Sequence, residues 1–146
     1  YINSDENNID PRITFLLDSV LKEFMQRGSA GRLTADLNRT DFGGKTGTTN
    51  EAISTWFSGY HNELVTSVWV GKDNFQSLGE NEFGSTVALP IWIEYMKPLL
   101  KNLDNKEVNI PENISFVRVN KDNGLPAKEE DIETYFELFL QENIID

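Results

Sequence analysis

The chain has no cysteine, one histidine and five prolines among 146 residues. Without cysteine there are no disulfides, no thiolate metal sites and no cysteine nucleophile, a usage that fits a bacterial envelope and a cytosol equally well. The lone histidine, His61, has no spaced partners and makes no metal site. It falls between two expected strands and is expected as a solvated turn residue. Basic residues are scarce: 13 Lys and Arg stand against 24 Asp and Glu, a formal charge of −11. That balance argues against nucleic acid and against an anionic membrane surface as partners, and otherwise speaks only to solubility. No apolar run approaches the roughly 20 residues of a membrane span, and no signal peptide is seen, so any export signal or anchor is expected outside these residues. Internal repeats and low-complexity tracts are lacking too.

What is present reads as one folded domain: 38% hydrophobic and 11% aromatic residues at a length able to bury a core. Residues 1–9 are polar and expected to fray. Asp10 and Pro11 read as a helix cap and first turn. Ile13, Leu16, Leu17, Val20 and Phe24 follow at helical spacing, predicting a helix from about Pro11 to Arg27 that buries this stripe. Residues 29–41 read as a loop with a short apolar element. Three strands are expected at 42–49, 55–60 and 64–71, antiparallel because their turns are short. In the third, Leu64, Thr66, Val68 and Val70 share one face, and Val65, Ser67 and Trp69 the other. After a polar loop at 75–84, Ser85 to Leu100 reads as a helix carrying Val87, Ile91, Ile93, Tyr95 and Met96, kinked or started by Pro90. A charged linker at 101–112 leads to a strand at Ile114–Val119, turning at Asp122-Asn123-Gly124. Glu129–Gln141 is expected to close the chain as a helix, with acids in its first turn and Ile132, Tyr135, Phe136 and Phe139 on one face. The fold class is thus α+β, an antiparallel sheet flanked by helices with a small C-terminal extension.

The densest chemical signal is Gly43-Gly44-Lys45-Thr46-Gly47-Thr48-Thr49-Asn50. Gly44-Lys45-Thr46 imitates the end of a phosphate-binding loop, but that motif needs glycine where Arg39 stands and a helix after the threonine, where a strand follows. On a strand, Thr46 and Thr48 alternate with Gly47 and share a face. With Lys45 they are expected to offer two hydroxyls and an ammonium on one face as a carboxylate receptor. Gly47, lacking a Cβ, lets a substrate backbone lie against the strand.

This run, with Trp56-Phe57-Ser58-Gly59-Tyr60, the strand Leu64–Gly71 and Gly84-Ser85-Thr86-Val87-Ala88-Leu89-Pro90-Ile91-Trp92 in order, closely resembles the class A, bifunctional penicillin-binding proteins of the 1A type. Pro111 to Ala127 resembles the extension that follows the transpeptidase domain there. The resemblance spans most of residues 10–145 and divides the chain into a transpeptidase portion, 1–104, and an extension, 105–146. It implies a serine D,D-transpeptidase that cross-links peptidoglycan stem peptides ending in D-Ala-D-Ala, is acylated by β-lactams and uses no cofactor or metal. It also implies a glycosyltransferase domain and a membrane anchor upstream, on the periplasmic side of a bacterial inner membrane. On that likeness Lys45 supports proton transfer, the backbone N–H of Thr48 is one of two oxyanion donors, and Thr46, Gly47, Thr48 and Thr49 bind substrate.

The nucleophile is the departure. Ser19-Val20-Leu21-Lys22 fits Ser-x-x-Lys but lies only 23 residues before Lys45, with no Ser-x-Asn anywhere in the chain. A chance match of this kind arises about once in two chains of this length. The serine, and the rest of the transpeptidase domain as a partner, are therefore expected before Tyr1. Ser54-Thr55 stands where such proteins often carry an acid, and Lys72 where they are often aromatic. A β-lactamase or carboxypeptidase is the alternative enzyme, and a non-catalytic peptidoglycan-binding module the alternative of another class. Trp56, Trp69 and Trp92 are expected in the core or a cleft wall, since no basic residues interleave them.

Overall fold

The computed structural model describes residues 9–28, 30–105 and 108–144. Apart from Ile9, the segment expected to fray lies outside the described residues. The chain falls into two compact units: Asp18–Glu107, and Tyr1–Leu17 with Val108–Asp146.

Helix α1 spans Pro11–Arg27, as its cap and spacing predict. Its apolar stripe is not buried, however: Leu17 is 60% and Val20 58% exposed, and Ile13 is exposed as well. The buried residue of this helix is Met25, which with its neighbour Phe24 joins the core of the larger unit. Helical spacing fixes which residues share a face; it does not supply a surface to cover them. Residues 30–38 are tighter than the expected loop, forming a short helix α2 (Gly31–Thr34) and a 3-10 turn (Ala35–Leu37). The hydroxyl of Thr34 donates to the carbonyl of Met25, closing α2 onto the end of α1.

The sheet of the larger unit is β1 (Phe42–Thr48), β2 (Ser54–His61) and β3 (Leu64–Gly71), antiparallel and in that order. One face carries Phe42, Phe57 and, across the ladder, Val68. Against it lies α3 (Leu89–Leu100), preceded without a break by a π-helical turn at Gly84–Ala88. Pro90 sits in the first turn of α3, so it starts the helix and does not kink it. The buried side of α3 is Leu89, Trp92, Ile93, Met96 and Leu100, whereas the expected Ile91 and Tyr95 face outward. Trp92 is the centre of this packing: its ring meets Phe57 edge-on at 5.1 Å and Phe42 at 6.0 Å, and its Nε1–H donates to the Thr66 carbonyl. Trp56 and Trp69, directly opposed on the other face, pack edge to face at 6.4 Å and stay half exposed.

His61 is not in a solvated turn. It is 2% exposed, because pairing with Phe42 brings it beside Asp41. Its Nδ1 accepts the Glu63 backbone N–H, which leaves Nε2 to donate to Asp41 Oδ2 at 3.1 Å. Arg39 grips Asp41 with two donors, at 2.9 and 2.6 Å, and reaches the carbonyls of Leu100, Leu103 and Asp104. The start of β1 is thereby tied to the end of α3.

In the smaller unit β4 (Ile114–Asn120) pairs antiparallel with β5 (Thr134–Leu140). The closing helix expected at 129–141 is therefore a strand. Thr134, Tyr135, Phe136 and Phe139 favour a pleated surface, and the register Val117↔Glu137 and Val119↔Tyr135 satisfies the backbone between the two strands. Val119 is wholly buried, and Arg12 bridges Asp10 and Glu142.

Candidate functional site

β1 is paired on one side only; among the described residues no strand lies along its other edge. Thr49 donates its backbone N–H to the Ser54 carbonyl, in register with the ladder. Antiparallel strands alternate between paired and outward backbone groups. The N–H of Thr48 and the C=O of Thr46 therefore face the open edge.

The side chains divide accordingly. Thr46 and Thr48 share a face, as alternation requires, and Lys45 belongs to the opposite face, so the expected receptor is not built on one side of the strand. Instead the Lys45 ammonium turns round the free edge, donating to the Thr46 carbonyl at 3.1 Å and approaching the Thr46 hydroxyl at 3.5 Å. It also stands 5.0 Å over the Phe24 ring at the end of α1. The result is a cation and a hydroxyl meeting at an edge that also presents a backbone donor. Gly47, between the two threonines, has the Trp56 side chain near the position of an added Cβ, with Trp56 Cβ at 3.3 Å.

The remaining predicted residues are committed differently. Thr48 Oγ1 accepts the Gly84 backbone N–H at 3.0 Å. The Thr49 hydroxyl donates to the Ser54 carbonyl and accepts its N–H, so that side chain closes the β1–β2 turn. On α1, Lys22 is paired with Asp18 at 2.7 Å, whose other oxygen accepts the Tyr60 hydroxyl. Burial, and then the neighbouring Asp18 carboxylate, push the Tyr60 phenol well above its ordinary range.

Beyond Thr48 the edge opens into a cleft of about 470 Å³, bordered by Thr48, Glu51, Ser77, Glu80 and Phe83. Its floor is a turn with two consecutive left-handed residues, Glu51 at φ 59° and Ala52 at φ 50°. Neither is glycine, so the conformation is held from outside: Ser77 donates to the Glu51 carbonyl at 2.7 Å and Leu78 to that of Ala52 at 2.9 Å. Among the described residues no group of three or more His, Cys, Asp or Glu is placed to hold a metal ion, and no helix is long and apolar enough to cross a membrane.

No protein-family model matches the chain, but individual proteins do. Penicillin-binding protein 1A of Pseudomonas aeruginosa is 44% identical over 138 residues, 94% of this chain. That of Neisseria gonorrhoeae is 39% identical over 106 residues, 73% of it. The crystal structure of penicillin-binding protein 1A from Haemophilus influenzae superposes on 93% of the chain with a TM-score of 0.84 at 30% identity. The chain belongs to the penicillin-binding protein 1A family. It spans 17% of the Pseudomonas protein's length, 13% of the Neisseria protein's and 21% of the Haemophilus chain.

For this penicillin-binding protein 1A relative, the fold is the mixed helix and antiparallel sheet of the Haemophilus structure. Two parts of the site were not read from the sequence. The strap from Ser77 and Leu78 left no signal in a polar loop. Gly84 left one, a glycine opening a helix after that loop, but its partner Thr48 lies 36 residues away.

Proposed function

We propose that this chain is the C-terminal part of the D,D-transpeptidase of a bifunctional murein synthase, with residues 1–104 in the transpeptidase domain and 105–146 an extension. The observation that carries the reading is the free edge of β1, where the Lys45 ammonium, the Thr46 hydroxyl and the outward N–H of Thr48 converge. A stem peptide lies extended along this edge, over Gly47, with its terminal D-alanyl carboxylate held by Thr46 and Thr48.

A serine supplied from upstream attacks the penultimate D-alanine carbonyl. The C–N bond to the terminal D-alanine breaks, the leaving amine takes a proton, and the acyl-serine passes to an amine of a second stem peptide. Lys45 supplies the positive field beside the serine and assists the proton's transfer. The Thr48 N–H steadies the oxyanion together with a donor from the serine's own segment. β-Lactams present a carboxylate and a strained amide in the same relation and acylate the same serine. The intact enzyme works on the periplasmic side of the inner membrane, held by an anchor outside these residues.

Labelling by a fluorescent penicillin tests this. The full-length gene product takes up label, and Lys45→Ala lowers its acylation rate at least about a hundredfold, in the range of a lost acid–base group. The 146-residue chain alone takes up none. Labelling of the chain alone, or a rate indifferent to Lys45, would defeat the assignment.

A further inference from the structure

Gly84 occupies a place that no other residue fits. A Cβ there would lie 2.5 Å from the Trp56 carbonyl oxygen, 2.7 Å from that of Gly47 and 3.1 Å from Thr46 Cβ. Two of these three are backbone atoms of the sheet, which cannot give way as a flexible side chain would. The glycine therefore lets the π-turn press directly onto β1, and its N–H reaches Thr48 Oγ1 at 3.0 Å. Thr86 holds the turn from the other side, accepting the Phe83 N–H at 2.8 Å.

A hydroxyl has one proton and two lone pairs, and a backbone N–H can only donate. Gly84 thus occupies a lone pair of Thr48, and the Thr48 proton must point elsewhere. Among the described residues nothing claims that proton. Thr55, directly across the ladder, is wholly buried, yet its Oγ1 has no hydrogen-bond partner in the described structure.

We propose that Gly84 is a positioning residue that fixes Thr48 as a hydrogen-bond donor, and so makes the edge of β1 selective for an acceptor-only group, the ligand carboxylate. The inference rests on the transpeptidase reading above. The N–H of Gly84 also belongs to the opening turn of a helix, whose donors carry partial positive charge, and this polarises the Thr48 hydroxyl further. A larger residue at 84 lifts the turn off the strand, breaks the bond and frees the hydroxyl to rotate.

The test compares acylation of the full-length protein by benzylpenicillin and by its methyl ester, which has lost the carboxylate. In Gly84→Ala the rate with the free acid falls about tenfold, the scale of one hydrogen bond to a charged group, and the ester rate stays within about twofold. Thr48→Val lowers the free-acid rate at least as far, and the double variant loses no more than Thr48→Val alone. Equal losses with both compounds would reduce Gly84 to a scaffold residue and overturn the inference. Wild-type protein that reacts with neither compound overturns the transpeptidase reading and this inference together. Should Gly84→Ala not fold, the crystal structure of penicillin-acylated wild-type protein decides. Thr48 Oγ1 is expected within about 3 Å of both Gly84 N and the ligand carboxylate, and a Thr48 hydroxyl turned from either one refutes the role.

Discussion

Asp41 stands at the threshold of β1, and its carboxylate is shared by Arg39 and His61. Burial pushes this carboxyl up, but the Arg39 guanidinium more than offsets it and holds the acid below its ordinary value near 3.8. A depressed carboxylate stabilises the fold fully above the unfolded-state value and loses that contribution as pH falls through the folded one. Asp41→Asn should therefore destabilise by about 3 kcal/mol at neutral pH, since it leaves a largely buried guanidinium without its counter-charge. The same variant should lose less additional stability than wild type between pH 5 and about pH 2. Denaturant titrations at both pH values check this, and an unchanged pH dependence would show that Asp41 is not the responsive group. Sequence alone could not give this network. Arg39 and Asp41 are neighbours there, but His61 is 20 residues away and arrives only through strand pairing. The Lys45-Thr46-Gly47 run, by contrast, was legible as part of a strand, because consecutive residues carry that signal.

Elements were legible where one period governed the residues. β3 alternates and the three strands β1 to β3 are joined by turns of a few residues, so their order and direction followed from the sequence. β5 was obscured because Ile132, Tyr135, Phe136 and Phe139 happen to fall at helical spacing after an acidic run that resembles a helix start. Only the partner strand decides between the two readings. Asn113 accepts from Gln141 and Glu133 from Lys121, so odd-numbered residues of β5 turn their N–H toward β4 and even-numbered ones turn away. Proline at Glu137 should therefore remove a ladder bond and cost about 3 kcal/mol, whereas proline at Phe136, an exposed and outward position, should cost clearly less. Hydrogen exchange across residues 114–140 reads the difference. A helix would suffer about equally from both substitutions, and equal loss of protection would restore that reading. The α1 stripe teaches the converse lesson, that a periodic pattern gave the helix correctly and its burial wrongly.

At the scale of the whole molecule, a strong negative charge is combined with large apolar groups left open to solvent. On the sheet of the larger unit, Val65 is exposed on the same face as the half-exposed Trp56 and Trp69; in the smaller unit Phe116, Ile132 and Phe136 are exposed. Such surfaces attract one another, and at neutral pH the formal charge of −11 opposes their contact. The opposition fades as carboxylates take up protons toward the sequence pI of about 4.5. Light scattering of the chain should therefore rise as pH falls from 7 to 5, and should rise at pH 7 on adding salt to about 0.5 M, where the Debye length shrinks to roughly 4 Å. Trp69→Ser should blunt both responses without unfolding the sheet, because Trp69 lies on the face away from α3 and its removal forfeits mainly the edge contact with Trp56. Val65→Ser should do the same from the other end of that face of β3. If scattering stays flat through both changes of condition, these apolar groups are not adhesive. If it rises equally in the two variants and in wild type, the adhesive surface lies on the smaller unit, and Phe136→Ser becomes the substitution expected to abolish it.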